Sequence, residues 1–151
     1  RLGDDPRRVA NAGAADIAVI KCTPLGGVRR ALRVAEQVGL PCVVSSALET
    51  SVGLAAQLAL AAALPELDFA CGLGTLSLLA GDVVGSTASL QPVQGYLRVP
   101  RSAPTPDTTL LDTYAVTAAQ RRRWWRARLA RAYAALHEAY PHEGWVIPGY
   151  A

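Results

Sequence analysis

A lysine closes the apolar run at residues 16–21, Asp-Ile-Ala-Val-Ile-Lys. A second apolar run, from Pro41, ends on Ser45-Ser46, with Leu48 and Glu49 just beyond. A third, over 68–71, is closed by Gly72-Leu73-Gly74-Thr75. A cationic amine, two hydroxyls, a carboxylate and a glycine that lets backbone approach a ligand closely therefore recur at the ends of successive apolar runs. If the runs are parallel strands, these groups share the carboxyl edge of one sheet, where chemistry sits in such folds. Each group also has a plainer reading. Lys21 alone reads as a surface lysine that snorkels from a strand end, and Ser45, Ser46 and Glu49 read as turn and cap residues. Backbone N–H groups near Gly26-Gly27 could hold an anion, but a tight turn explains two glycines equally well. Asp4 and Asp5 are no better as metal ligands, because Pro6 marks Asp5 as a helix N-cap.

The elements that must position these groups alternate. Residues 16–21 read as a strand buried on both faces, since Ile17 to Ile20 are consecutively apolar. Gly26-Gly27 opens a helix with Val28, Ala31, Leu32, Ala35 and Val38 on one side and Arg29, Arg30, Arg33 and Glu36 on the other. Gly39 caps it and Pro41 starts the second strand. Thr50 or Ser51 starts a further helix whose inner face is Val52, Leu54, Ala55, Leu58, Ala61 and Ala62, small enough for close packing on a sheet. Pro65 ends it before the strand at 68–71. Strand, helix, strand, helix, strand is the pattern of parallel β/α units, and a short helix from Asp5 to near Gly13 precedes it. Residues 83–107 hold four prolines and read as an irregular crossing segment with one short strand at 95–99. A capping box, Thr117-x-x-Gln120, then opens a long helix. Trp125, Leu129, Ala132, Tyr133 and Leu136 form its apolar stripe, and five of its arginines (121, 122, 126, 128 and 131) form a solvated basic face. Pro141 stops it, and the tail is uninformative. The division is thus 1–84, 85–116 and 117–151.

With 151 residues, just over half of them apolar, the chain is long enough for one globular domain with a real core. The net charge of +3 comes largely from the arginines of the last helix and does not argue for nucleic acid. The most apolar stretch, 52–64, is too short to span a bilayer. Cys22, Cys42 and Cys71 lack metal-ligand spacing and read as buried, reduced thiols of a cytosolic protein. The sequence contains no methionine and opens within a β/α unit, so it reads as the C-terminal part of a longer protein.

Residues 15–75 resemble a known family. Val19-Ile-Lys21 with Pro24-Leu-Gly-Gly27, Val44-Ser-Ser-Ala-Leu-Glu-Thr-Ser-Val-Gly53, Ala61-Ala-Ala-Leu-Pro-Glu-Leu67 and Ala70-Cys-Gly-Leu-Gly-Thr75 look like the last barrel strands of actinobacterial o-succinylbenzoate synthases. These belong to the muconate-lactonising subgroup of the enolase superfamily. The resemblance implies an α/β fold, the C-terminal portion of a TIM-like (β/α)-barrel, followed by the irregular segment and the long helix. It implies a cytoplasmic lyase of menaquinone biosynthesis that converts 2-succinyl-6-hydroxy-2,4-cyclohexadiene-1-carboxylate to o-succinylbenzoate with Mg²⁺. On that reading Lys21 stabilises the enediolate by its charge, including a cation–π component. Ser45, Ser46, Leu48 (by its backbone) and Gly72 bind substrate, and Glu49 belongs to a polar network. The family's base and its three carboxylate metal ligands have no counterpart in this sequence, so the partner implied is the N-terminal half of the same enzyme and the chain alone is expected to be inactive. Two alternatives stand: an N-acylamino acid racemase or dipeptide epimerase of the same superfamily, and a non-catalytic interaction module that uses the arginine-rich helix.

Overall fold

The computed structural model describes residues 5–139 and 141, and the chain divides into two compact units, Arg1–Tyr114 and Ala115–Ala151. The first is built in the order α1 (Arg7–Asn11), β1 (Ala18–Ile20), α2 (Cys22–Leu25), α3 (Val28–Val38), β2 (Cys42–Val44), α4 (Ser51–Ala63), a 3₁₀ turn at Leu76–Leu78 and α5 (Thr108–Thr113). The second contains α6 (Ala119–Ala139). No helix among the described residues is long and apolar enough to cross a membrane.

β1 and β2 pair in parallel, Ala18 opposite Cys42, Val19 opposite Val43 and Ile20 opposite Val44. Ala18, Ile20, Cys42 and Val44 are buried, and they face a core shared with Ala31, Val34 and Val38 of α3 and Leu54, Leu58, Leu60 and Ala61 of α4. The run at 16–21 is not buried on both faces as expected. Val19 is 58% exposed and Ile17 36%, because α3 and α4 cover one side of the sheet and the described residues leave the other open. The third run forms no strand. It joins β2 through a single bridge, Ser45 to Gly72, with Gly72 N–H donating to the Val44 carbonyl at 2.9 Å and Ser46 N–H to the Gly72 carbonyl at 3.0 Å.

The N-cap of α1 falls on Pro6 rather than on Asp5 as expected, although the Asp5 carboxylate still accepts from Arg7 N–H at 3.2 Å, and Gly13 follows the helix end at φ +58°. Gly26 and Gly27 do not simply open α3. The turn α2 is inserted before them, Gly26 closes it at φ +84°, and Gly27 at φ +111° starts α3. On α4, Val52 is only half-buried and Ala62 is exposed, whereas Ser51, Gln57 and Leu60 are fully buried. The strand expected at 95–99 is instead a two-residue turn, in which Val93 and Tyr96 exchange bonds of 2.8 and 2.9 Å. Gln94 and Gly95 both take positive φ there, the turn chemistry of a tight hairpin. In the second unit α6 begins at Ala119, one residue later than a Thr117 cap would set. Its Trp124 and Trp125 pack edge to face at 4.7 Å, and the Arg128 guanidinium lies 5.6 Å from the centre of the Trp124 ring.

The N-terminus of α4 has no cap from its own Thr50. Asp82 supplies one from a distant segment, accepting from Ser51 N–H at 3.0 Å and Ser51 Oγ at 2.5 Å. Ser89 Oγ donates to the same carboxylate at 2.8 Å, and Leu90 N–H donates to Ser51 Oγ at 2.8 Å. Burial pushes the Asp82 carboxyl up, but the hydrogen bonds from Ser51, Ser89 and Val83 outweigh it and hold the group below its ordinary range. Its contribution to stability is therefore present at neutral pH and lost as pH falls through the lowered value. We expect Asp82→Ala to cost about 1.5–3 kcal/mol at pH 7, the range for hydrogen bonds to a charged group. The gap to wild type should narrow below about pH 4, and urea denaturation across pH measures both.

Candidate active site

The parallel register decides which side chains meet. Because Ile20 stands opposite Val44, the next residues, Lys21 and Ser45, leave their strands side by side. Lys21 Nζ donates to Ser45 Oγ at 3.0 Å and to the Ser46 carbonyl. An ammonium carries three N–H donors, so one remains for a ligand. Gly72 completes the row. A Cβ there would lie 3.1 Å from Ser45 Oγ, so glycine leaves that hydroxyl its space. Four of the residues singled out by sequence, Lys21, Ser45, Ser46 and Gly72, are therefore brought to one edge of the sheet.

Ser46 turns inward, 4% exposed. Its Oγ lies 2.5 Å from Thr75 Oγ1 and accepts from Leu48 N–H at 3.2 Å. Leu48 takes φ +64°, a conformation that costs a non-glycine residue energy and persists only where surroundings fix it. Ser46 on one side and Glu49 on the other fix it here, and the Leu48 side chain is 57% exposed.

Glu49 is the centre of a polar cluster. Its Oε1 accepts from Thr23 Oγ1 at 2.6 Å and Gln57 Nε2 at 2.9 Å, and its Oε2 from Ala47 N–H at 2.7 Å. Burial raises its pKa, but these three donors outweigh burial and hold the carboxyl below its usual value, so it is ionised at neutral pH. Cys22 and Cys42 are buried free thiols and Cys71 is partly buried. Burial, and for Cys22 also the Glu49 charge, pushes both buried thiols up, which makes them poor nucleophiles.

Residues 4–104 match the family described as Enolase C-terminal domain-like. The chain belongs to that family. It is 53% identical over 144 residues to the o-succinylbenzoate synthase of Thermobifida fusca, a match that covers 95% of this chain and 43% of that protein. Against the o-succinylbenzoate synthases of Mycobacterium tuberculosis H37Rv and Mycobacterium leprae identity is 48% and 46%, each covering 90% of this chain and 40% and 39% of theirs. The chain thus spans about two fifths of the length of these relatives. The crystal structure of an MLE variant superposes on 75% of this chain and 32% of its own with a TM-score of 0.65, at 28% identity.

The described residues of this enolase-type domain do not fit a metal site. No group of three or more His, Cys, Asp or Glu among them could hold a cation, and the Glu49 carboxylate is already filled by N–H and O–H donors. Sequence reading missed three contributors: Thr75, Thr23 and Gln57. For Gln57 the signal was present, as the one amide in the apolar helix over 51–63.

Gly53 lies one turn after Glu49, and a Cβ on it would come within 2.7 Å of both Cβ and Cγ of Glu49. Alanine is ordinarily better than glycine in a helix by about 1 kcal/mol. We expect Gly53→Ala to destabilise instead, by about 1–3 kcal/mol as in other overpacked sites, because Glu49 must leave its donors. Chemical denaturation gives the sign directly.

Proposed function

We propose that this chain is the C-terminal (β/α)-barrel portion of an o-succinylbenzoate synthase, a lyase of menaquinone biosynthesis in the cytoplasm. The substrate is 2-succinyl-6-hydroxy-2,4-cyclohexadiene-1-carboxylate. The observation that carries this reading is the Lys21 ammonium, fixed by Ser45 and Ser46 at the carboxyl edge of parallel strands, in a sequence closely similar to proteins of that name.

In the dehydration the C–H bond next to the carboxylate breaks, the C–O bond of the ring hydroxyl breaks, and a new C=C bond completes the aromatic ring. The removed proton and the hydroxyl leave as water. Negative charge builds on the substrate carboxylate as the proton departs. Lys21 faces that charge, and its contribution is electrostatic. A unit charge pair at 4 Å with an effective dielectric of about 20 is worth about 4 kcal/mol, and the ring adds a cation–π component. Ser45, Ser46, the backbone at Leu48 and Gly72 line the substrate's binding place. The base and the Mg²⁺ ligands belong to the N-terminal half of the enzyme, so this chain by itself is inactive.

The test is a chimera in which this chain replaces the matching C-terminal part of the Thermobifida fusca synthase. It should form o-succinylbenzoate. Lys21→Ala should lower kcat by about 10²–10³-fold, the size of losing one preorganised charge contact, with a smaller change in KM. Lys21→Arg, which keeps charge but not shape, should fall between. Undiminished turnover in Lys21→Ala, or epimerisation of N-acylamino acids without dehydration, would overturn the reading.

A further inference from the structure

Gln57 touches the Glu49 cluster without facing the open edge where Lys21 stands, and it is wholly buried, at 0% exposure, in the middle of α4. A buried amide needs partners, and it has them on both sides. Its Oε1 accepts from Cys22 N–H at 2.9 Å. Its Nε2 donates to Glu49 Oε1 at 2.9 Å and to Thr23 Oγ1 at 3.4 Å. The orientation of the amide is dictated, since an N–H can only donate and an ionised carboxylate can only accept.

These bonds close a ring. Glu49 Oε2 takes the N–H of Ala47, and that N–H belongs to the same peptide group as the Ser46 carbonyl, to which Lys21 Nζ donates. The ring therefore runs from the Lys21 ammonium through the Ser46–Ala47 peptide to Glu49, through Gln57 to the amide of Cys22, and back along the chain to Lys21. One end of the lysine, its backbone, and the other, its ammonium, are tied to the same carboxylate. We propose that Gln57 is a positioning residue for Lys21: it joins the exit of β1 to the exit of β2 and thereby sets where the ammonium stands. The importance of that placement to catalysis rests on the synthase reading; the placement does not.

Gln57 is suited to this as neither leucine nor an ionised glutamate would be, because it must accept on one side and donate on the other. The titratable groups around it are Glu49 and the Cys22 thiol, with the Lys21 ammonium beyond the Ser46–Ala47 peptide.

Lys21 is the only lysine in the sequence, beside fourteen arginines, so the whole chain grown with ¹³Cε,¹⁵Nζ-lysine gives one side-chain signal. In wild type that signal should be displaced from free lysine, with ammonium protons slow to exchange. Gln57→Leu should move it toward free lysine and speed exchange by about tenfold, the equivalent of one lost hydrogen bond. Gln57→Glu keeps the shape. At low pH its protonated carboxyl can still donate to Glu49, and the signal should match wild type. As pH rises and the new carboxyl ionises beside Glu49, at a pKa raised by that like charge, the signal should move away. Leu60→Ala, on the same helix with a larger core cost, should leave the signal in place. A Gln57→Glu signal that tracks wild type at every pH overturns the proposal, and so does a Leu60→Ala signal that moves as far as Gln57→Leu. The readout belongs to the lysine itself, so an inactive chimera does not weaken it and an unmoved signal does not weaken the synthase assignment.

Discussion

Everything at the candidate site depends on the register of β1 against β2. Side chains alternate across a strand, so a slip of β1 by one residue would send Ala18 and Ile20 to the open face and bring Val19 into the core. The alternation of buried and open positions holds the register through hydrophobic burial, at roughly 25 cal/mol per Å² of apolar area. The same alternation aims Lys21 and Ser45 at the face that α3 and α4 do not cover. A core made of Ala, Ile, Cys and Val on one side thus determines a polar pair on the other, without any direct attraction between them being needed to fold the sheet.

The polar groups then refine what the core has placed. Each buried hydrogen bond contributes only about 0.5–1.5 kcal/mol net, but leaving one of these groups unpaired would cost about 1–3 kcal/mol. That asymmetry explains why Ser51 and Gln57 are fully satisfied although both sit in an apolar helix. It also separates two functions within α4. Its first residue is anchored through Asp82 to the irregular segment, and its middle reaches the strand exits through Gln57. Glu49, just before the helix, is held by Thr23, Ala47 and Gln57. The irregular segment therefore bears on the site at one remove, by fixing the helix that carries Gln57.

Periodicity and punctuation made much of the first unit legible. Gly39, Pro41 and Pro65 mark the ends of elements where the backbone requires them, and the apolar positions of α3 point to the core as their spacing indicates. Lys21, Ser45, Ser46 and Gly72 were recognisable because each closes an apolar run. Misreadings arose where tertiary context overrides local pattern. Consecutive apolar residues at 17–20 cannot reveal that one face of the strand is uncovered. The run at 68–71 has the composition of a strand but finds only one bridging residue. The role of Gln57 is not legible in the sequence, because its partners come from 34 and 8 residues away.

The use of lysine at this one position is itself informative in physical terms. Arginine supplies every other positive side chain in the sequence, and on a solvated surface the two are nearly equivalent. They differ where a compact charge must fit. A guanidinium is a planar fork that favours paired oxygens, whereas an ammonium is a point charge with three donors on a flexible stem. At Ser45 and Ser46 the acceptors are one hydroxyl and one peptide carbonyl on a tight turn, which suits two donors of a small tetrahedral group and leaves the third. A guanidinium there would present a wider, planar set of donors to the same two acceptors, one of them the hydroxyl that Gly72 leaves free to stand there. The geometry thus suits lysine by the shape of its donor group as well as by its charge.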